Sequence, residues 1–315
     1  MPRIAAHAKA KRVAIMGHHE TSANVGHYEQ QLDAAMDYYA KFGVPAVKTG
    51  YVADAGGVLH TDAQGKPVWD WHDGQYMSRH HLKVVEAAAR RRIAINTHEP
   101  IKDTGLRRTY PNWVSREGAR GMEYAAWGEP PNPPSHEPTL AFTRMLSGPF
   151  DYTPGIVSLT GKNGRPIPST LARQLANFVV IYSPVQMAAD LPENYDKQPQ
   201  ALDFIRRVPV DWEETRVLGG AVGEFAVFAR QRRDGRDWYL GGVTDETARD
   251  YTIDFAFLPP RGRYRARIWR DGAGGGVDGD RFALAVEERI VTAASRWPVH
   301  MAAGGGFAMS LVPVK

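Results

Sequence analysis

Short apolar runs that end abruptly in polar residues recur along the first third of the chain. Val13 to Met16 predicts a buried strand, and the polar sequence GHHE (Gly17 to Glu20) follows it at once. A second strand is predicted from Ala46 to Val52, and a third from Ile93 to Ile95. The third is followed directly by NTHE (Asn96 to Glu99). Polar side chains of the types found in active sites therefore follow the first and third apolar runs and interrupt the second.

Helical spacing of apolar residues separates these strands. Residues 28–39 carry apolar side chains every three or four positions and end at Gly43, and residues 82–89 repeat the pattern. Ile4 to Lys11 reads as the end of an earlier helix, and a polar loop that contains Gly56, Gly57 and Gly65 leads to Trp69 and Trp71. Strands and helices in alternation, with functional residues past the strand ends, predict a parallel α/β architecture and favour a (β/α) barrel.

The middle of the chain continues this pattern less regularly. Gly148 to Gly155 resembles another loop at a strand end, and Ser169 or Thr170 is a candidate cap for a helix that begins at Leu171. Phe178 to Tyr182 fits either the continuation of that helix or a strand. Asp203 to Val208 predicts one more short helix.

The pattern changes near Glu214, where short alternating segments separated by Gly, Pro and Asp begin. Such segments are typical of a small antiparallel β-sandwich. The predicted fold class is therefore α/β plus all-β, with an incomplete (β/α)8 barrel over residues 1–214 and a sandwich over residues 215–315. Five or six barrel strands are recognisable, and the chain opens within a helix. Two strand–helix units of the barrel are therefore expected to be missing at the N-terminus.

Composition narrows the class of protein. The chain has 315 residues, 43% of them hydrophobic and 23% charged, and a formal net charge of +4, which fits a globular protein without a nucleic-acid-binding surface. It has no cysteine, which excludes disulfides and thiol chemistry. No apolar run approaches the roughly 18 residues of a membrane span. The N-terminal apolar stretch is too short for a signal peptide. Oligomerisation is compatible with the sequence, which does not predict it.

Four glutamates are the candidate site residues: Glu20, Glu99, Glu117 and Glu123. Glycosidic bond hydrolysis needs one carboxylic acid and a second carboxylate that activates water or attacks the sugar. A hard cation such as Ca²⁺ would also be held by several carboxylates. A single glutamate near a strand end is more often an ion-pair partner, but this grouping favours a catalytic or metal site. A zinc hydrolase is a weaker alternative, because the HxH spacing of its ligands is absent.

Six motifs resemble glycoside hydrolase family 97, the calcium-dependent α-glucosidases and their relatives, along the whole chain. They are HHETSA (18–23), VKTGYV (47–52), NTHEPIKDTGLRRTYPN (96–112), REGARGMEY (116–124), FTRMLSGPFDYTPG (142–155) and YSPVQMAADLPENY (182–195). Compared with the family, the chain is expected to lack the N-terminal β-domain, which supplies a further calcium ligand. Members of the family are usually periplasmic or secreted.

The resemblance implies a role for each candidate residue. Glu123 matches the general acid, and Glu20 with Glu99 matches the pair that acts as base on the attacking water. Glu99, Glu117 and Glu123 match calcium ligands. Three further positions match residues that bind the sugar: His18, Lys48 and His98.

The same resemblance bears on stereochemistry. Retaining α-galactosidases of the family carry an aspartate nucleophile where this chain has Gly50, and they lack the two base glutamates. The expected function is therefore inverting hydrolysis of terminal α-glucosidic bonds in α-linked glucose oligosaccharides, with an acid–base separation of roughly 6.5–9.5 Å. Two alternatives are a sugar-binding remnant without turnover and a retaining α-galactosidase.

Overall fold

The computed structural model describes residues 1–52 and 56–314, which form two compact units. The first unit comprises Met1–Gly118 and Ser147–Asp151, and the second comprises Ala119–Leu146 and Tyr152–Lys315. The predicted division between residues 214 and 215 stays a prediction.

The first unit is built on a parallel sheet. In chain order its helices and strands are α1 (Pro2–Ala10), β1 (Met16–Glu20), α2 (Val25–Lys41), β2 (Ala46–Gly50), β3 (Gly57–Thr61), β4 (Pro67–Trp71), α3 (Gln75–Ala89), β5 (Ala94–Thr97) and β6 (Trp113–Arg116). Strands β1, β2, β5 and β6 are hydrogen-bonded in that order and run parallel, and Phe150 makes a further parallel bridge to Arg116. The predicted parallel α/β class is confirmed.

Local sequence explains these elements. Helix α2 begins where the Asn24 side chain accepts a hydrogen bond from the backbone N–H of His27 at 3.1 Å. Its buried residues recur at helical spacing and pack against the apolar face of the sheet, to which Val47 and Ile95 contribute. That face is a continuous hydrophobic core, so the opposite face of the sheet is left for polar side chains.

Three predictions in this unit were wrong in detail. The first strand begins at Met16, not at Val13, whose side chain is 61% exposed, and it includes the polar residues that were expected to follow it. The predicted polar loop that leads to Trp69 and Trp71 instead contains an antiparallel hairpin of β3 and β4. The first helix spans Pro2–Ala10, so it begins two residues before and ends one residue before the predicted range of Ile4 to Lys11.

The second unit combines short helices with antiparallel sheets. Its helices are α4 (Glu123–Trp127), α5 (His136–Phe142), α6 (Leu171–Val180), α7 (Pro192–Asp196) and α8 (Pro199–Ile205). Its strands are β7 (Trp212–Ala221), β8 (Phe225–Arg232), β9 (Trp238–Thr244), β10 (Arg249–Asp254), β11 (Arg263–Asp271), β12 (Leu284–Thr292), β13 (Arg296–Met301) and β14 (Gly306–Pro313).

Two sheets of this unit share one core. Strands β12, β11, β14, β9, β8 and β7 form a six-stranded antiparallel sheet in that order, and β10 pairs with β13. Residues of both sheets, among them Leu240 and Trp297, belong to a single buried cluster. The predicted antiparallel β-sandwich is therefore confirmed.

Helix α6 covers one side of the larger sheet, and its extent decides whether the segment Phe178 to Tyr182 is helix or strand. All ten residues of α6 are buried, so its sequence has no polar face whose spacing would distinguish a helix from a strand. This is why the sequence left the segment Phe178 to Tyr182 open. In the structure the helix continues through Phe178 and ends at Val180. Thr170 caps the helix by accepting a hydrogen bond from Arg173 N–H at 3.2 Å. A Cβ at Gly241 of β9 would lie 2.7 Å from the Ala176 oxygen, so glycine permits this close packing. The last short helix begins at Pro199, not at Asp203.

Candidate active site

A row of polar residues crosses the first unit's sheet on the face opposite its hydrophobic core. The register of the parallel strands aligns His18 of β1 with Lys48 of β2, Lys48 with Asn96 of β5, and Asn96 with Ser115 of β6. Residues aligned in neighbouring strands point to the same face. Two predicted sugar-binding residues, His18 and Lys48, therefore lie side by side on one surface.

The alternation of β1 separates its two histidines, as their adjacency predicts. His19 faces helix α2, where its Nδ1 lies 2.7 Å from the Tyr28 hydroxyl and its ring stacks on Tyr39. Burial lowers the pKa of His19 to about 4, with a smaller contribution from His18. His18 and Glu20 share the other face, with Nε2 and Oε2 3.8 Å apart. His19 is therefore a packing residue.

Backbone amides orient the Glu20 carboxylate. Its Oε1 accepts hydrogen bonds from the N–H groups of Thr21 at 3.0 Å, Ser22 at 3.2 Å and Val52 at 3.3 Å. Its Oε2 lies directly over Gly50, where an added Cβ would meet it at 2.1 Å. The carboxylate therefore occupies the space that any side chain at position 50 would need.

Glu99 reaches the same strand end from β5. Its backbone has a φ of 43°, an uncommon conformation for a residue with a side chain, and its Oε2 accepts a hydrogen bond from Tyr51 N–H at 2.8 Å. Because Tyr51 and Val52 are consecutive, the two glutamates predicted as a base pair are held by adjacent amides just after β2. The structure brings Glu20 and Glu99 together.

Glu117 extends this group beyond β6. Its Oε2 accepts a hydrogen bond from Glu99 N–H at 3.3 Å and lies 3.4 Å from His98 Nδ1. Glu117 and Glu99 are thus in contact through the backbone amide of Glu99. Glu123, the fourth predicted glutamate, is exposed at the start of α4 and belongs to the second unit.

A buried aspartate not singled out in the sequence lies beneath the group. Asp151 Oδ2 accepts hydrogen bonds from Asn96 Nδ2 at 2.5 Å and from His98 Nε2 at 2.7 Å. Both ring nitrogens of His98 thus face carboxylates. Burial alone would lower the pKa of His98, but the hydrogen bond with Asp151 and the charges of Glu117 and Asp151 outweigh it and raise the pKa. The only sequence signal for Asp151 was its place in the predicted strand-end loop.

A second buried network supports the strand end from behind. The Tyr51 hydroxyl lies 3.0 Å from His80 Nε2, and His80 Nδ1 lies 2.9 Å from Glu29 Oε1. Burial would raise the pKa of Glu29, but hydrogen bonds from His80 and Lys83 lower it to about 2. This ion-paired network holds the ring of the residue whose amide orients Glu99. Its members are far apart in sequence, so periodicity gave no sign of it.

Two of the predicted calcium ligands, Glu99 and Glu117, lie close together in the structure. Among residues 1–52 and 56–314, no group of three or more His, Asp or Glu side chains is arranged to hold a metal ion. The chemistry of Glu99 and Glu117 nevertheless fits a hard cation, which prefers carboxylate oxygens. In the same part of the chain, no helix has the length and apolarity needed to cross a membrane.

The first unit is a parallel α/β sheet with Glu20 and Glu99 at its strand ends, and a β-sandwich follows it in the chain. This combination is that of a barrel-type protein, and comparison with known proteins identifies the family. The family model Glycoside hydrolase 97 matches residues 1–119, and the model Glycosyl-hydrolase 97 C-terminal, oligomerisation matches residues 211–312. The chain belongs to glycoside hydrolase family 97.

Similar proteins carry two kinds of description. A retaining alpha-galactosidase of Bacteroides thetaiotaomicron is 32% identical over 90% of this chain and 41% of its own length, and a probable retaining alpha-galactosidase of Streptomyces bingchenggensis is 28% identical over 98% and 42%. A family 97 enzyme of a Pseudoalteromonas species, solved with panose and with acarbose, is 48% identical over 99% of this chain and 49% of its own, with a TM-score of 0.95. The chain spans less than half the length of these relatives.

Proposed function

We propose that this chain carries the catalytic centre of an inverting glycosidase that cleaves terminal α-glucosidic bonds of gluco-oligosaccharides with the help of calcium. The observation that carries the proposal is the position of the Glu20 carboxylate over Gly50. A retaining enzyme needs a nucleophile beside the sugar, and the family resemblance puts that nucleophile at position 50. Glycine has no nucleophilic group, and Glu20 fills the space of one.

The two anchored glutamates fit a base that acts on water. Oε1 of Glu20 and Oε2 of Glu99 are bound to backbone amides, which orient both carboxylates at the end of β2. In the proposed reaction, the pair takes a proton from water while the water oxygen bonds to the anomeric carbon. Glu123 gives its proton to the departing glycosidic oxygen. His18 and Lys48 bind the sugar from the polar row.

His98 acts in this proposal through its charge and position. The raised pKa of His98 favours the imidazolium form of this ring between Asp151 and Glu117. In that form it would attract both carboxylates, which lie 3.4 Å from Nδ1 and 2.7 Å from Nε2. Contact with the sugar, the role the resemblance implies, stays a prediction.

The α-gluco preference draws support from one relative. The 48% identical enzyme was solved with panose and acarbose. The competing function is retaining α-galactosidase activity, which is how the 32% and 28% identical relatives are named. Glu20 above Gly50 favours the first function, since the second requires a nucleophile in the occupied space.

The configuration of the first product tests the proposal. Proton NMR recorded immediately after mixing with maltose should show β-glucose formed first from the non-reducing end, because water attacks opposite the leaving group. Aryl α-galactoside should be hydrolysed far more slowly. First release of the α-anomer, or a preference for the galactoside, would establish the competing function.

Calcium is the second part of the proposal. Glu99, Glu117 and Glu123 would hold it, and the bound ion would supply charge stabilisation as a Lewis acid. Treatment with EGTA is expected to lower activity and thermal stability, and added calcium to restore both. A ligand at 100 times its dissociation constant stabilises a folded protein by about 2.7 kcal/mol.

Calorimetric titration of calcium supplies the readout that does not depend on activity. Glu117→Gln should weaken calcium binding, whereas Glu129→Gln, an exposed glutamate outside the proposed ligand set, should not. Equal calcium affinity in the wild type and Glu117→Gln would remove Glu117 from the site.

A further inference from the structure

The hairpin of β3 and β4 exposes two tryptophans on its outer face. Trp69 and Trp71 are 66% and 60% exposed, the highest values among the described tryptophans. They are two residues apart on β4, so they point to the same side, roughly 6.8 Å apart along the strand. A surface hairpin normally turns polar residues to solvent, so this face reverses the usual pattern.

The opposite face of the hairpin explains why the tryptophans cannot turn inward. Val58 is fully buried in the core of the first unit, and the His60 ring stacks on Tyr76 with a centroid distance of 3.7 Å. Asp70 lies on this inner face with its Oδ2 3.5 Å from His60 Nε2. Packing on one face therefore fixes which residues face solvent on the other.

Two glycines leave room for the indoles beside the backbone. A Cβ at Gly56 would meet the Trp71 ring at 3.0 Å, and one at Gly57 would meet the Trp69 ring at 3.3 Å. Each ring thus lies close to a glycine, and a side chain at either position would crowd it.

The hairpin is attached to the candidate active site. Leu59 N–H donates a 2.8 Å hydrogen bond to the Ala23 oxygen, in the loop that follows Glu20. At its other end, Gly57 is five residues after Val52, whose amide binds Glu20, so the two are at most about 18 Å apart. The two indoles therefore belong to the same set of strand-end loops as the proposed base.

We propose that Trp69 and Trp71 form a remote subsite that binds the α-glucan chain several sugar units from the cleaved bond. This inference rests on the proposed function. A pyranose ring presents a face of C–H groups, weakly positive at the hydrogens, which suits the negative face of an indole. Exposed apolar patches of this kind mark binding surfaces. Two exposed rings on one face of a strand fit successive sugars of one chain.

Chain-length dependence is the kinetic test. In the wild type, kcat/KM should rise from maltose to maltoheptaose, and Trp69→Ala/Trp71→Ala should lower the maltoheptaose value about tenfold. The value for an aryl α-glucoside should change less than twofold. Tyr38→Ala, which removes another exposed aromatic ring of the same unit, is the matched control. An unchanged maltoheptaose value in the double variant would overturn the subsite.

Native electrophoresis in gels containing soluble starch separates this inference from the proposed function. Retardation of the wild type and its loss in the double variant support the subsite even if no α-glucoside is hydrolysed. Hydrolysis without retardation or chain-length dependence keeps the function and overturns the subsite. Concentration-dependent association that disappears in the double variant would instead assign the tryptophans to contact with a second copy of the chain.

Discussion

Glu123→Gln is expected to lower kcat on maltose by about 10²- to 10⁴-fold, the contribution of a positioned general acid. Glucose is a poor leaving group, so its oxygen needs a proton as the bond breaks. An aryl α-glucoside with an acidic phenol leaves without that help and should lose much less. The comparison of the two substrates is the measurement, since a structural defect would lower both rates alike.

The pH dependence of kcat/KM in the wild type and in Glu123→Gln gives a second test of the acid role. Loss of the acid should remove the fall of kcat/KM at high pH, while the fall at low pH, which reports the base, should remain. Glu129→Gln changes an exposed glutamate six residues further on and should leave both rates intact. Equal losses on maltose and on the aryl glucoside would exclude Glu123 as the acid.

The sequence predicted that the candidate side chains follow the apolar runs of a parallel sheet, although it did not predict where each strand ends. The apolar runs before HHE and NTHE assigned Glu20 and Glu99 to two strands of one parallel sheet, and in the structure β1 and β5 pair with opposite sides of β2. The error at β1 has a simple cause. An interior that holds polar side chains interrupts the apolar pattern before the strand ends, so His18 and Glu20 read as a loop although they are strand residues.

Residues that support the site from a distance could not be predicted. Asp151 reaches Asn96 and His98 across more than fifty residues, and Glu29 reaches His80 across a similar separation. Hydrophobic periodicity reports which face of an element is buried, but not which polar group it meets. The hairpin was missed because its outward tryptophans and inward Asp70 invert the expected alternation.

Hydrogen bonds from the backbone fix the positions of the Glu20 and Glu99 carboxylates. Adjacent amides after β2 bind the two carboxylates, and the buried ring of Tyr51 is bound in turn by His80. In the proposed mechanism, a base held in this way needs little reorganisation when it removes a proton, which lowers the activation free energy. The arrangement also leaves no room for change at Gly50.

Gly50→Asp is expected to abolish most of the activity, because its Cβ would lie 2.1 Å from Oε2 of Glu20 and displace that carboxylate. Loss of a general base costs about 10²- to 10⁴-fold in rate. The crowding should also destabilise the fold by about 1–3 kcal/mol, as overpacking of a filled site does. Activity on maltose and urea unfolding measure the two effects.

A double-mutant cycle identifies Glu20 as the cause. Glu20→Gly alone should lose activity with little strain, and adding Gly50→Asp to it should restore the stability lost in the single Gly50→Asp variant, since the space is then empty. Gly235→Ala, where the nearest group is a flexible arginine side chain 3.3 Å away, controls for adding a side chain to a glycine. Additive losses of stability would show that Glu20 does not occupy this space.

The anomer that the Glu20→Gly/Gly50→Asp double variant releases first tests the mechanism. With the base removed and an aspartate at the position expected of a nucleophile, any remaining hydrolysis should release the α-anomer first. That outcome would show that one carboxylate, moved across the β1–β2 pair, decides between inversion and retention on this sheet. Continued release of the β-anomer would mean that Glu99 activates water without Glu20, and would assign the base role to Glu99 alone.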